Sequence, residues 1–179
     1  VRAAYTSSGE KAFTVNGAKP ETLPSVIGRF PIVVLSPENS AITFGAPSER
    51  RKFVDLLLSQ ISRSYLEDVM EYRRVLKQRN KLLLNAKLER MYAEELIEPW
   101  TQSLVQLGSR IIAHRNTFVQ EFRAYVKRAH DQLVHNGETP DIEYSTVDGV
   151  NEHSIVQDVI VLMRDELGVK MYEERRRGT

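Results

Sequence analysis

Residues 95–134 read ELIEPWTQSLVQLGSRIIAHRNTFVQEFRAYVKRAHDQLV, and this stretch decides the fold. Leu96, Trp100, Leu104, Leu107, Ile111, His114, Phe118, Phe122, Tyr125, Ala129 and Leu133 recur every three or four residues, the period of one helix face. Pro99 stands near the start, where a missing backbone N–H is tolerated, and no proline follows it in the stretch. About 40 residues rising 1.5 Å each make a rod roughly 60 Å long. So long a helix with a single apolar stripe needs a partner along its length. Residues 64–88 supply one. Tyr65, Val69, Tyr72, Leu76, Leu83 and Ala86 follow the same spacing, and Arg79 takes one slot of the seam. The two helices are expected to fold back as an antiparallel, coiled-coil-like arm. Ser64 with Glu67 offers a capping box at its start, and Asn136-Gly137 a stop after the long helix.

The pattern on either side is consistent with this arm. Residues 49–62 place Phe53, Val54, Leu57, Leu58 and Ile61 at helical spacing, with Ser48 as the expected cap. Ser154 and Gln157 form another capping box, opening a last helix to about Glu174. The N-terminal residues read differently. VRAAYTS (1–7) and KAFTVNG (11–17) are strand-like, Asn16-Gly17 marks a tight turn, and FPIVVL (30–35) reads as a short buried strand. DIEYSTV (141–147) alternates like a further strand. The fold class expected is mainly α (α+β), a helical arm with a small β appendage at the N-terminus.

Composition bounds the chemistry. The 179 residues carry 25 Lys+Arg against 24 Asp+Glu, so nucleic-acid binding would have to rest on local clusters of charge. There is no cysteine, which removes disulfide and thiolate chemistry. Aliphatic runs such as Ile32–Leu35 and Leu56–Leu58 are far short of the ~20 residues of a spanning helix. No secretory leader is evident, and a cytoplasmic protein is expected. Val1 opens within a strand-like pattern and the chain stops at RRRGT, as expected of an excised piece of a longer protein.

Enzymatic motifs do not emerge. The sequence has no G-x-x-x-x-G-K-[ST] loop, G-x-S-x-G elbow or H-E-x-x-H pair. His114, His130, His135 and His153 never fall four apart, so no helix face pairs them as ligands; His114, on the apolar stripe, reads as a packed core residue. VIVLMRDE (159–166) resembles the aliphatic, acid-ended strand that holds Mg²⁺ in ATPases, but Arg164 interrupts it and the preceding capping box argues for helix.

Charge clusters are more informative. RRVLKQRNK (73–81) sets Arg73, Lys77 and Lys81 four apart on one face with Arg74 beside them, a row able to track a phosphate backbone. The competing reading is a solvated face, with Glu71 pairing Arg74 at i, i+3. Arg175–Arg177 reads as positive charge complementing a helix end. In GAPSERRKFVD (45–55), Arg50 and Arg51 stand in the first turn of a helix, where a cation forfeits about 0.3–1 kcal/mol. Arg51 can reach Asp55 at i, i+4. Arg50 aligns with Val54, Leu57 and Ile61, so it is expected to turn inward and find a carboxylate, carbonyl or anion.

Here the residues carry a resemblance. FPIVVLSPENSAITFGAPSERRKFVD (30–55) resembles the signature of the RecF family of bacterial recombinational-repair ATPases, through Pro37, Glu38, Gly45, Ala46, Pro47, Arg50, Arg51, Phe53, Val54 and Asp55. Thr43 departs from it, standing where an aliphatic residue is expected. The resemblance continues in Tyr72-Arg73, Leu76-Lys77-Gln78-Arg79-Asn80, Leu83 and Pro99-Trp100. RecF-like proteins resemble the heads of SMC proteins, an ABC-type ATPase with a helical arm inserted between its halves. The resemblance implies that residues 1–45 are strands from the first half of such a head and residues 46–179 the arm. The phosphate loop would precede Val1, and the signature motif and acidic strand would follow Thr179. ATP and Mg²⁺ then belong to the parent, and this chain alone is expected neither to bind nor to hydrolyse ATP. A metal-reaching glutamine of relatives has no counterpart in Ile32–Leu35.

The function implied is a share in DNA repair, recombination and replication: binding DNA gaps, junctions or duplex and helping load recombinase with RecR and RecO. Arg73, Arg74, Lys77 and Lys81 are the candidate DNA contacts, and Arg50, Arg51 and Asp55 a candidate structural junction. The alternative is an interaction module for RecR, RecO or a second copy, without DNA contact. No membrane is expected among the partners.

Overall fold

The computed structural model describes residues 2–5, 8–9, 11–20, 22–34, 36–89, 94–134 and 137–176. Strands β1 (Arg2–Tyr5) and β2 (Lys11–Thr14) precede five helices: α1 (Ala41–Phe44), α2 (Pro47–Ile61), α3 (Arg63–Glu89), α4 (Glu94–Leu133) and α5 (Val156–Arg176). The fold is mainly helical, as expected. The chain divides into two compact units, Val1–Leu66 and Glu67–Thr179.

In the first unit β1 and β2 pair antiparallel, Arg2 opposite Thr14 and Tyr5 opposite Lys11. Asn16 (φ 51°) and Gly17 (φ 82°) form the expected tight turn between Val15 and Ala18, closed by backbone bonds of 2.8 and 3.1 Å. The third strand does not form. Residues 30–34 have no regular secondary structure and no strand partner among the described residues, and Val33 is 87% exposed. A buried strand needs a neighbouring strand, and here Ile32 N–H donates to the Gln60 side chain instead (2.7 Å). The loop is also tied by Arg63, whose guanidinium donates to Pro24 O (2.7 Å).

Two helix starts differ from expectation. α2 begins at Pro47, with Ala46 as its cap and no side-chain cap bond, because proline pre-sets the first helical φ one residue before Ser48. α3 is capped by Ser62, whose Oγ accepts from Tyr65 N–H at 3.2 Å, so Ser64 lies inside the first turn. Among the described residues, Leu58, Tyr65 and Leu66 are the buried apolar side chains of this unit.

α4 is the spine of the second unit. Arg110 holds Asp68 through Nε (2.9 Å) and Nη2 (2.6 Å), and Arg79 Nε donates to Thr101 Oγ1 (3.0 Å). One pair advances along α3 while it retreats along α4, so the two helices run antiparallel. Val75, Leu104 and Leu107 close the seam, with Tyr72, Leu76 and Trp100 against them. Arg79 sits in this seam at 6% exposure, as its spacing predicted.

The apolar stripe read from sequence is only half of what α4 buries. Its ends, at Leu96, Tyr125 and Leu133, are exposed, and a second stripe of Val105, Ser109, Ile112, Asn116 and Val119 is buried beside the first. α5 covers this second stripe through Val159, Ile160 and Met163. Its polar members are satisfied locally: Ser109 Oγ donates to Val105 O (2.6 Å) and Asn116 Nδ2 to Asn151 O (2.9 Å).

Residues 141–147 form no strand. Ile142, Tyr144 and Thr146 are partly buried while Glu143 and Ser145 are exposed, so the alternation is real without a ladder. Side chains of α4 take the place of a second strand: Arg123 Nε donates to Ile142 O (2.5 Å) and Gln120 Nε2 to Glu152 O (2.7 Å). α5 then starts one residue later than expected. Asp158 Oδ2 accepts from Ile155 N–H (3.0 Å), and Ser154 Oγ closes the preceding turn onto Asn151 N–H (3.0 Å). Residues 159–166 are helical. Of the expected stop, Asn136 falls outside the described residues and Gly137 takes φ 77°; of the terminal run, Arg175 and Arg176 end α5 and Arg177 falls outside the described residues.

All three helices crowd one point. A Cβ on Gly108 would lie 2.6 Å from Met163 Cε, 3.0 Å from its Sδ and 3.3 Å from Tyr72 Cε2. Gly108→Val should therefore cost about 2 kcal/mol, because the Tyr72 ring cannot yield as the methionine tip can. Gly168→Ala, where a Cβ meets nothing within 4 Å, should stabilise by about 0.5–1 kcal/mol. Urea unfolding of both variants checks the pair.

Candidate functional site

Two clusters carry the residues singled out from sequence. The first is the junction from Ser36 to Tyr65. Ser36 and Asn39 form a reciprocal capping box around a 3-10 turn over Pro37–Ser40, with Ser36 N–H donating to Asn39 Oδ1 at 2.6 Å. A hydrogen bond from Ser36 holds the exposed Glu38 carboxyl below its ordinary pKa. Gly45 ends α1 where a Cβ would stand 2.4 Å from Ala41 O, so no side chain fits there.

Arg50 reaches back over this turn. Its Nη1 donates to Gly45 O at 3.1 Å and more weakly to Ile42 O at 3.5 Å. It found carbonyls, as expected, but on the surface and not in the core: the side chain is exposed. The electrostatic puzzle of a cation in the first turn of α2 resolves locally, because the guanidinium answers the negative carbonyl end of the preceding turn. Arg51 is exposed and forms no ion pair with Asp55 among the described residues. Asp55 instead accepts from the Tyr65 hydroxyl at 2.5 Å, and Tyr65 is fully buried. Sequence reading missed Tyr65 as a polar partner. Its ring lies on an apolar stripe, and only the fold brings the hydroxyl to a carboxylate ten residues away.

The second cluster is the cationic row of α3. Arg73, Arg74, Lys77 and Lys81 are all exposed. Arg74 is engaged by Glu71 through Nε (2.8 Å) and Nη2 (2.5 Å), the i, i+3 pair legible in sequence. The hydrogen bond from Arg74 depresses the Glu71 pKa, so the pair persists at neutral pH and is lost only as pH falls through that lowered value. Arg79, two residues from Lys77, is turned about 200° away into the α4 seam and does not extend the row.

Other chemistry weighed from sequence is not assembled here. Asp165 and Glu166 lie on α5, with Glu166 paired to Lys170, and not at the end of a strand where an ATPase presents carboxylates to Mg²⁺. These acids do not fit that role. Among the described residues no three or more histidines and acids are grouped to hold a metal, and no helix is long and apolar enough to cross a membrane.

Comparison with known proteins shows what the chain is similar to. No family model matches the chain. The DNA replication and repair protein RecF of Salinibacter ruber is 39% identical over 180 residues, covering 100% of this chain and 44% of that protein. RecF of Chloroherpeton thalassium is 37% identical, over 99% of this chain and 48% of its own length. A solved structure described as the recombination mediator protein RecF-ATPrS in the RecFOR pathway superposes with a TM-score of 0.85 at 28% identity, covering 99% of this chain and 47% of that one. This chain is homologous to part of RecF. It spans just under half the length of these RecF proteins. The resemblance carried by Pro37 to Asp55 therefore extends over the whole chain and its fold.

The Asp55–Tyr65 bond, at 2.5 Å, joins α2 to the start of α3. Tyr65→Phe should destabilise by about 1–2 kcal/mol, since it leaves a half-buried carboxylate short of a donor, while Arg51→Ala should stay within about 0.5 kcal/mol of the parent. Chemical denaturation resolves the two; equal losses would return the junction to Arg51.

Proposed function

We propose that this chain contributes the helical arm of a RecF-type DNA repair and recombination protein. Residues 46–179 are the arm, and residues 1–45 belong to the first half of an ABC-type ATPase head. The exposed apolar run at 30–34 supports that assignment, as the kind of surface a larger sheet would cover. In the parent, ATP and Mg²⁺ drive dimerisation on DNA in the cytoplasm, and RecO and RecR join it in loading recombinase. The RecF structures described with ATPrS and with ATP support a nucleotide in the parent. This chain by itself neither binds nor hydrolyses ATP.

The observation that carries a DNA role is the exposed row of Arg73, Arg74, Lys77 and Lys81 along α3. Cations at a four-residue step lie on one helix face and can follow a phosphate backbone without reading bases. Affinity for duplex or gapped DNA should then fall steeply with salt, with a log–log slope near 0.9 per phosphate neutralised. Arg73→Glu with Lys77→Glu should weaken binding about tenfold or more, equally across sequences. Fluorescence anisotropy over a salt series measures this, and no binding by the parent chain at low salt overturns it.

One observation favours a second reading, in which the arm binds protein. Arg74 is already held by both oxygens of Glu71, which leaves the row less free charge than its sequence promises.

A further inference from the structure

We infer that the outward face of α3 is a second helix seam, shaped for an acidic amphipathic helix of a partner protein. The inference rests on the protein-binding reading above and gives it a place and a chemistry. Met70, Arg74, Lys77, Lys81, Leu84 and Leu88 follow a strict four-three-four-three-four spacing, the repeat of a coiled-coil seam. This stripe is separate from the one packed on α4, which uses Tyr72, Val75, Leu76 and Arg79. Its apolar members face solvent: Met70 is 46% exposed, Leu84 56% and Leu88 73%. The stripe runs from Met70 to Leu88, about 27 Å of continuous helix.

α4 shows how this molecule uses such a pattern. Its second stripe, Val105–Ser109–Ile112–Asn116–Val119, also mixes apolar and polar residues at four-three spacing, and α5 covers it. The corresponding stripe of α3 is uncovered among the described residues.

Charge selects the occupant. Lys77 and Lys81 lie between the apolar ends, and neither has an ion-pair partner among the described residues. A second copy of α3 is disfavoured: parallel pairing sets each lysine on its own counterpart, and antiparallel pairing about the middle of the stripe sets Lys77 on Lys81. DNA would satisfy the lysines but leave Leu84 and Leu88 against water or phosphate. A helix with leucine-type residues at two successive seam positions and Glu or Asp at the next two satisfies both halves.

The probe is a labelled helical peptide about three heptads long with that pattern, titrated against the whole chain by anisotropy. A twin with Lys for each Glu and a short DNA duplex are the comparators. The acidic peptide should bind, Leu84→Asn with Leu88→Asn should weaken it about tenfold, and those variants should leave duplex affinity unchanged. Lys77→Glu with Lys81→Glu should transfer binding to the lysine twin. The inference is overturned if the acidic peptide fails to bind, or if it binds equally to the Leu84/Leu88 variant. Loss of duplex binding in that variant would also overturn it, by giving the face to nucleic acid. Circular dichroism of each variant separates these results from unfolding. Failure of the duplex alone leaves this inference standing and removes only the DNA reading.

Discussion

The lack of a side chain at residue 108 lets α4 serve two partners at once. Tyr72 of α3 and Met163 of α5 both approach the Gly108 backbone closely enough that an added carbon would stand 2.6–3.3 Å from their atoms. Two apolar clusters flank this point, Val75–Leu104–Leu107 on the α3 side and Val105–Ile112 with Val159, Ile160 and Met163 on the α5 side. Dispersion contacts weaken quickly with separation, so a side chain at residue 108 would loosen the packing of Tyr72 and Met163 on α4. The polar pairs Asp68–Arg110 and Arg79–Thr101 then fix the register of α3 along α4.

The first unit is built on smaller, local devices. A turn that Gly45 alone can make is clasped by Arg50, and α2 is tied to the start of α3 by the Asp55–Tyr65 bond. Gly45, Arg50 and Asp55 are among the residues through which the sequence resembled RecF, and homology to RecF proteins over the entire chain agrees with it. The contacts of Arg50 and Asp55 are with neighbouring backbone and side chains. The cations of α3 are different in kind: they lie on a solvent face and contribute nothing to the core.

Much of the fold was legible because helix formation is local and periodic. The extents of α3, α4 and α5 to within one or two residues, the antiparallel return of α3 on α4, the burial of Arg79 in the seam and the Glu71–Arg74 pair all follow from residues three or four apart. The second stripe of α4 escaped because Ser109 and Asn116 break its apolar pattern. Only contact with Val105 O and Asn151 O makes those polar groups acceptable inside. Helix starts slipped by one or two residues, since serines at 48, 62, 64 and 154 compete and proline geometry or a nearby aspartate settles which site caps.

By itself, then, the sequence determined the helices, the apolar faces along them and the family signature between Pro37 and Asp55, all of which depend on short-range spacing. The tertiary structure decided what depends on a distant partner. Residues 30–34 and 141–147 have strand-like patterns but found no strand to pair with, because a ladder needs a second backbone that local preference cannot supply. Asp55 took Tyr65 in place of Arg51 for the same reason: the buried hydroxyl had to be satisfied, whereas an exposed guanidinium is satisfied by water.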